Sequence, residues 1–138
     1  MGELMSTTTR AIPVFHKNFD GFMDFLRDQE LGTVALSPKR FSAVFGIDLQ
    51  TLANQAHVHR NTLSRAPASE SVQRFLREIL RVIRAAADLS GDIERALFWY
   101  RNEPLQPFEY KTAEHLVSDG RTDDLLRYIG SLQVGAAG

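Results

Sequence analysis

The sequence predicts an all-α fold of about seven helices in two lobes that meet near residues 90–105. Apolar residues recur at helical spacing in almost every segment after residue 18. No segment shows the alternation of a half-buried strand. Helix openings and endings also follow one another in register, with Ser37-Pro38, Asp48 and Asp92 opening and Gly46, Gly91 and Gly120 closing.

Residues 1–12 are polar, Thr-rich and without period, and residues 1–17 are expected to be disordered. From Asn18 a helix places Phe19, Phe22, Met23 and Leu26 on one stripe, with Gly32 as its end. Ser37 then caps a helix whose first position is Pro38, where the missing N–H costs nothing, and Phe41, Val44 and Phe45 face inward. Asp48 opens the next, with Leu49, Leu52 and Ala53 buried. After a turn at His57-Val58 a short helix covers His59 to Arg65, bounded by Pro67. Ser69 or Ser71 starts the longest helix, to about Leu89, with Val72, Phe75, Leu76, Ile79, Ile83 and Ala86 toward the core.

Ser90-Gly91-Asp92 breaks and recaps the chain. In the helix from Ile93 to Arg101, ALFWY is apolar on nearly every side, which predicts burial between two bodies of protein. Ile93, Ala96, Leu97 and Tyr100 would face one layer, Phe98 and Trp99 the other. The proline-interrupted stretch NEPLQPFEYK follows, then helices over Thr112–Ser118 and from Thr122 to about Leu132. Asp123 and Asp124 sit in the first turn of the last, where the helix dipole favours them. The tail VGAAG reads as small and flexible.

With 138 residues, 43% apolar and 24% charged, the chain has an ordinary globular composition and buries roughly two thirds of its unfolded surface. No run approaches the roughly 20 apolar residues that span a bilayer, and no secretory leader is expected. The start MGELMS fits an N-myristoylation pattern, but no polybasic patch follows to hold a lipidated chain on a membrane. Without cysteine there are no disulfides, thiolate metal sites or cysteine nucleophiles, and the expected location is cytoplasmic. The formal net charge of −1 hides an asymmetry. Arg60, Arg65, Arg74, Arg77, Arg81 and Arg84 make the middle basic, whereas acids dominate after Ala85. The middle is suited to phosphates; the end would repel them.

Leu52, Ala53, Val58 and Leu63 supply the small apolar contacts of a helix–turn–helix. His59, Arg60, Asn61, Ser64 and Arg65 remain outward on its second helix, as candidate DNA contacts. Arginine can fork onto guanine and asparagine onto adenine, while Ser64 suits a phosphate. The same pattern also describes a polar helical corner. His57 stands where such turns carry glycine, which calls for a positive φ. Arg74, Arg77, Arg81 and Arg84 share a helix face, read mainly as solvated and paired through Glu70–Arg74 and Arg74–Glu78. His57 and His59 are wrongly spaced to share a helix face, so no metal site is expected, and no catalytic motif or cofactor site is present. The aromatics around residues 98–110 suggest a second small core, or additionally a protein-binding surface.

Residues 93–138 resemble the C-terminal toxin-binding domain of Xre/MbcA/ParS-type antitoxins. The resemblance lies in the aromatic helix leading into RNEP (Arg101 to Pro104), KTAEHLV (Lys111 to Val117), DGR (Asp119 to Arg121), the Leu/Tyr-striped last helix and the small-residue tail. Upstream, LSPKRFSAVFGIDLQTLA is similar to the family's Xre-like helix–turn–helix region. The resemblance implies a bacterial type II antitoxin with a DNA-binding domain over 18–89 and a toxin-binding domain over 90–138. It implies a RES-domain toxin as partner, one that consumes NAD or transfers ADP-ribose from it, with the chemistry belonging to the toxin. Operator DNA would be the other partner, and the chain would form a homodimer and a hetero-oligomer with the toxin. Toxin contact would fall on Arg101, Asn102, Glu103, Pro104, Lys111, Thr112, Gly120, Arg121 and the end from Gly135 to Gly138. The chain departs from the family at His57, at Pro67, which shortens the recognition helix, and at Phe108 to Tyr110, where relatives tend to have a Gly-rich loop. The alternative is a stand-alone regulator whose C-terminal lobe only dimerises.

Overall fold

A computed structural model describes residues 19–27 and 35–137. The expected disorder of residues 1–17, the helix end at Gly32, and His16 and Gly138 lie outside the described residues. Eight α-helices are present among them: α1 (Phe19–Leu26), α2 (Pro38–Phe45), α3 (Leu49–Ala56), α4 (Arg60–Arg65), α5 (Glu70–Ser90), α6 (Ile93–Asn102), α7 (Ala113–Ser118) and α8 (Thr122–Ala137). A 3-10 turn covers Gln106–Phe108. Extended pairing among the described residues is confined to two isolated bridges, Arg27 with Leu36 and Leu105 with Lys111. The fold is all-α.

The helix limits follow from local chemistry. Ser37 accepts the Arg40 N–H at 3.2 Å, Pro38 fills the first helical position, and Gly46 ends α2 at φ 66°. Asp48 accepts the Thr51 N–H at 2.7 Å, and Asp92 accepts those of Glu94 and Arg95. Thr112 caps α7 through the His115 N–H. Ser69 precedes α5, although its hydroxyl makes no capping bond.

The centre of the molecule is α5. Its buried residues, Val72, Gln73, Leu76, Ile79, Leu80, Val82, Ile83, Ala86 and Ala87, occupy more than one stripe and pack against both halves of the chain. One contiguous cluster therefore runs from Phe22 and Leu26 through Phe41, Leu52 and Leu76 to Tyr100, Leu116 and Ile129. Gln73, 7% exposed, is the polar exception within it. Its amide accepts from Leu36 N–H at 2.9 Å and donates to the carbonyls of Leu36 and Pro67, at 2.9 and 2.8 Å. A buried amide left without such partners would lose on the order of 1–3 kcal/mol. With them, it fixes the approach to α2 and the exit from α4.

Two expectations are corrected. Helix α6 is not sandwiched: Ile93, Ala96 and Tyr100 are buried, Leu97 and Trp99 partly so, but Phe98 is 71% exposed. Periodicity registers apolar character, whereas burial requires a neighbour, and among the described residues none covers the Phe98 ring. The VGAAG tail is not a loose end either. Helix α8 continues through Ala137, Gly135 lies within it, and Leu132 is 37% exposed instead of completing the buried stripe.

Hydrogen bonding by the Thr51 backbone, then by its side chain, holds the Asp48 carboxyl below its ordinary 3.8, with a smaller contribution from Arg60. A depressed pKa means the cap stabilises the fold above the ordinary value and loses that effect as pH falls through the lowered one. Asp48→Ala should therefore lower the urea midpoint near neutral pH, and the gap to the parent should close in acid. A gap independent of pH would show that the carboxylate does not cap α3.

Candidate functional site

Helices α3 and α4 meet through Val58 and His59, with Leu52 and Ala53 fully buried and Leu63 3% exposed beneath the corner. His57 closes α3 at φ 58°, as its position predicted, and its N–H reaches the carbonyls of Ala53 and Asn54. An L-residue here costs about 1–2 kcal/mol that glycine avoids. The side chain offers a compensation. Its Nε2 lies 2.7 Å from the Ser118 carbonyl, so the ring donates from that nitrogen. The Ser118 hydroxyl in turn donates to the Gln55 carbonyl at 2.7 Å. These bonds tie the α3–α4 corner to the end of α7.

His59 stands outside the helix on which it was placed. It is the N-cap of α4, and its Nδ1 accepts the Asn61 N–H at 3.0 Å. That ring nitrogen is committed to the helix. Arg60, Asn61, Ser64 and Arg65 are all exposed, with the Ser64 hydroxyl 3.5 Å from the Arg60 carbonyl one turn back. Among the described residues, neither Arg60 nor Arg65 forms an ion pair, in contrast to the arginines of α5. Arg74 and Arg77 approach Glu70 at 3.8 and 2.9 Å. Arg81 pairs with Glu78 at 3.0 Å and Asp123 at 3.4 Å, and Arg84 with Asp88 at 3.8 Å. The expected Arg74–Glu78 pair gives way to Arg81–Glu78, because Arg74 turns back toward Glu70. Exposed pairs such as these stabilise little, yet they cancel the field of the α5 stripe. The positive charge of α4 is less fully compensated: Arg60 acts on the Asp48 carboxylate through space, and Arg65 forms no ion pair among the described residues.

The residues assigned to toxin contact do not form one uniform surface. Arg101 turns inward, where its Nη1 donates to the Phe45 carbonyl and its Nε lies 3.1 Å from a Glu114 carboxylate oxygen. That Nε makes no aligned hydrogen bond, so its approach to Glu114 is electrostatic. Beside it Tyr100 is completely buried against the Phe45 ring, and burial, reinforced by the Glu114 charge, raises its phenol well above the usual range. Arg101 is thus a bridge between α2, α6 and α7 before it is a contact residue. Asn102, Glu103 and Pro104 are exposed, with the Asn102 amide donating to the Phe98 carbonyl at 2.9 Å.

Lys111 and His115 converge on Asp119, at 3.6 and 3.2 Å. Thr112 is engaged as a cap, while Gly120 is exposed at φ 78° with open space where a side chain would begin. The Arg121 guanidinium lies 5.1 Å from the Phe108 ring centre and pairs with Asp124 at 3.2 Å. Phe108 is buried and packs edge-on against Tyr128, whereas Tyr110 is 65% exposed, so the aromatic stretch divides between core and surface.

A polar cleft of about 290 Å³ opens between α3 and α7, lined by Gln55, Thr112, Glu114, His115, Ser118 and Asp119. Ser118 and His57 adjoin it without forming a nucleophile–base pair, since the hydroxyl and the ring nitrogen each donate to a carbonyl. No cluster of three potential metal ligands occurs among the described residues. None of their helices is long and apolar enough to cross a membrane. No protein-family model matches the chain, and no curated protein matches it.

Sequence reasoning missed the Ser118–His57 and Ser118–Gln55 bonds, whose partners lie about sixty residues apart and leave no local signal. His57→Ala keeps the backbone strain and loses the ring bond, so it should destabilise the fold by about 1 kcal/mol. His57→Gly loses the bond but relieves the strain, and should fall closer to the parent. Urea unfolding of the three proteins distinguishes this order from its reverse, which would deny the ring any stabilising role.

Proposed function

We propose that this chain is a type II antitoxin that captures a RES-domain toxin with its C-terminal half and binds its own operator through a helix–turn–helix formed by α3 and α4. The observation that carries the DNA half is the contrast in charge between neighbouring helices: the arginines of α5 are held in ion pairs, whereas Arg60 and Arg65 of α4 form none among the described residues, Arg60 acting on Asp48 only through space, beside exposed Asn61. Base edges and phosphates supply the acceptors such a row lacks. His59 contributes by capping the reading helix, and Ser64 is the phosphate contact.

Support for the toxin half is the ordered resemblance of RNEP, KTAEHLV and DGR, together with the exposure of Asn102, Glu103, Pro104, Gly120 and Arg121. Lys111 and Thr112 would hold the shape of that surface, and Arg101 would position it from within. NAD-consuming chemistry belongs to the toxin, and this chain acts without a cofactor in the cytoplasm. A stand-alone regulator that dimerises through its C-terminal half is the second reading, favoured by the exposed Phe98 ring on α6.

Arg60→Ala should weaken operator binding by about 1–3 kcal/mol if the guanidinium forks onto a guanine. A gel-shift midpoint unchanged at fixed salt would remove Arg60 from the reading set. Co-expression with a RES-domain protein encoded beside this chain should give a stable hetero-complex that suppresses the toxin's NAD consumption. Separate elution with full toxin activity would defeat the antitoxin reading and leave the regulator.

A further inference from the structure

We propose that the turn over residues 106–111 is the anchor of toxin capture: it holds Tyr110 outward in a strained, rigid pose that fits a basic cleft on the RES-domain protein. The inference rests on the antitoxin reading. It adds the residue that carries the contact and the charge of the surface that receives it.

Glu109 and Tyr110 are consecutive, and both lie in the left-handed region, at φ 60° and 66°. An L-residue there brings its Cβ too close to the following carbonyl oxygen, a strain that glycine escapes. Such strain persists only where the surroundings over-determine the backbone, as they do here. Leu105 N–H donates to the Lys111 carbonyl at 3.0 Å, and Tyr110 N–H to the Leu105 carbonyl at 2.9 Å. Glu109 N–H reaches the Gln106 carbonyl at 3.2 Å, and Lys111 N–H the Phe108 carbonyl at 3.1 Å. Leu105 and Phe108 root the turn in the core, with Phe108 edge-on to Tyr128.

His57 adopts the same strained conformation, but its ring offsets the strain within the fold by its bond to the Ser118 carbonyl. Tyr110 has no such internal contact. Its side chain is 65% exposed, and among the described residues it makes neither an aromatic contact nor a side-chain hydrogen bond. What that ring contributes lies outside the chain. A tyrosine on a pinned backbone suits an interface, because it offers a large contact area and loses little freedom on binding.

The charges around the turn indicate what receives it. Lys111 and Arg121 are held by Asp119 and Asp124. Glu103 and Glu109 are exposed and form no ion pair among the described residues. The unpaired charge flanking Tyr110 is therefore negative, and its complement is a basic surface. A cleft that holds the diphosphate of NAD has that sign, since phosphate oxygens call for arginine or lysine. Operator DNA, the other proposed partner, would be repelled.

The test combines titration of the full chain into the RES-domain protein encoded beside it with urea unfolding of the free chain. Tyr110→Gly relieves the strain and removes the ring. It should unfold at a higher urea midpoint than the parent, yet bind roughly thirtyfold more weakly. A merely structural tyrosine would not move stability and affinity in opposite directions. Glu109→Lys should slow association at low ionic strength, and added salt should shrink the difference. A complex that keeps its full affinity in Tyr110→Gly overturns the proposal and leaves the antitoxin reading standing. So does a Tyr110→Gly chain that unfolds more easily than the parent, or an association rate indifferent to Glu109→Lys at low salt. A parent chain that does not bind the RES-domain protein at all defeats the antitoxin reading, and this proposal with it.

Discussion

Everything in this molecule depends on α5 being shared. A helix that buried a single stripe would serve one layer and leave the other half of the chain to build its own core. Here nine side chains of α5 are buried, and the residues of α1 to α4 and of α6 to α8 meet across them in one cluster. Burial at roughly 25 cal/mol per Å² favours that arrangement, because halves of this size would each hold a marginal core alone. Gln73 adds direction to the non-directional term. Its amide works on only one arrangement of Leu36 and Pro67, so the corner before α5 cannot slide along the helix without stranding buried polar atoms.

Much of the backbone was legible because helix ends are local events. Ser37 before Pro38, Asp48 and Asp92 announce starts through side-chain oxygens facing orphan N–H groups, and Gly46 and Gly91 announce ends through positive φ. His57 belongs to the same class, since its place in the turn demanded the left-handed conformation that it adopts. What failed was what neighbours decide. The apolar sequence of α6 gives no hint that Phe98 is left largely exposed. The tail of α8 remains helical despite its glycines because the turns before it already form a helix that each further residue extends.

The candidate surfaces were legible to a different degree. Outward Arg60, Asn61, Ser64 and Arg65 follow from the positions of Leu63 and the turn, and they are exposed as the pattern requires. His59 was misplaced because one residue of shift at a helix start changes a surface side chain into a cap. Arg101 could not be read at all: its partners, Phe45 and Glu114, lie in other helices, and a sequence shows only that an arginine is present. Gln73 did leave a trace, a lone amide on an arc otherwise apolar at Val72, Leu76 and Leu80.

The common core has a consequence for how such a chain can change over generations. A crossover at the α5–α6 boundary would join a front half to a back half fitted to some other helix, leaving greasy surface bare on both sides of the seam. Such a join would forfeit apolar burial that α5 now provides to both halves. Any innovation at one end has to arise by point substitution on its outer face, since the inner face is already committed to its neighbour.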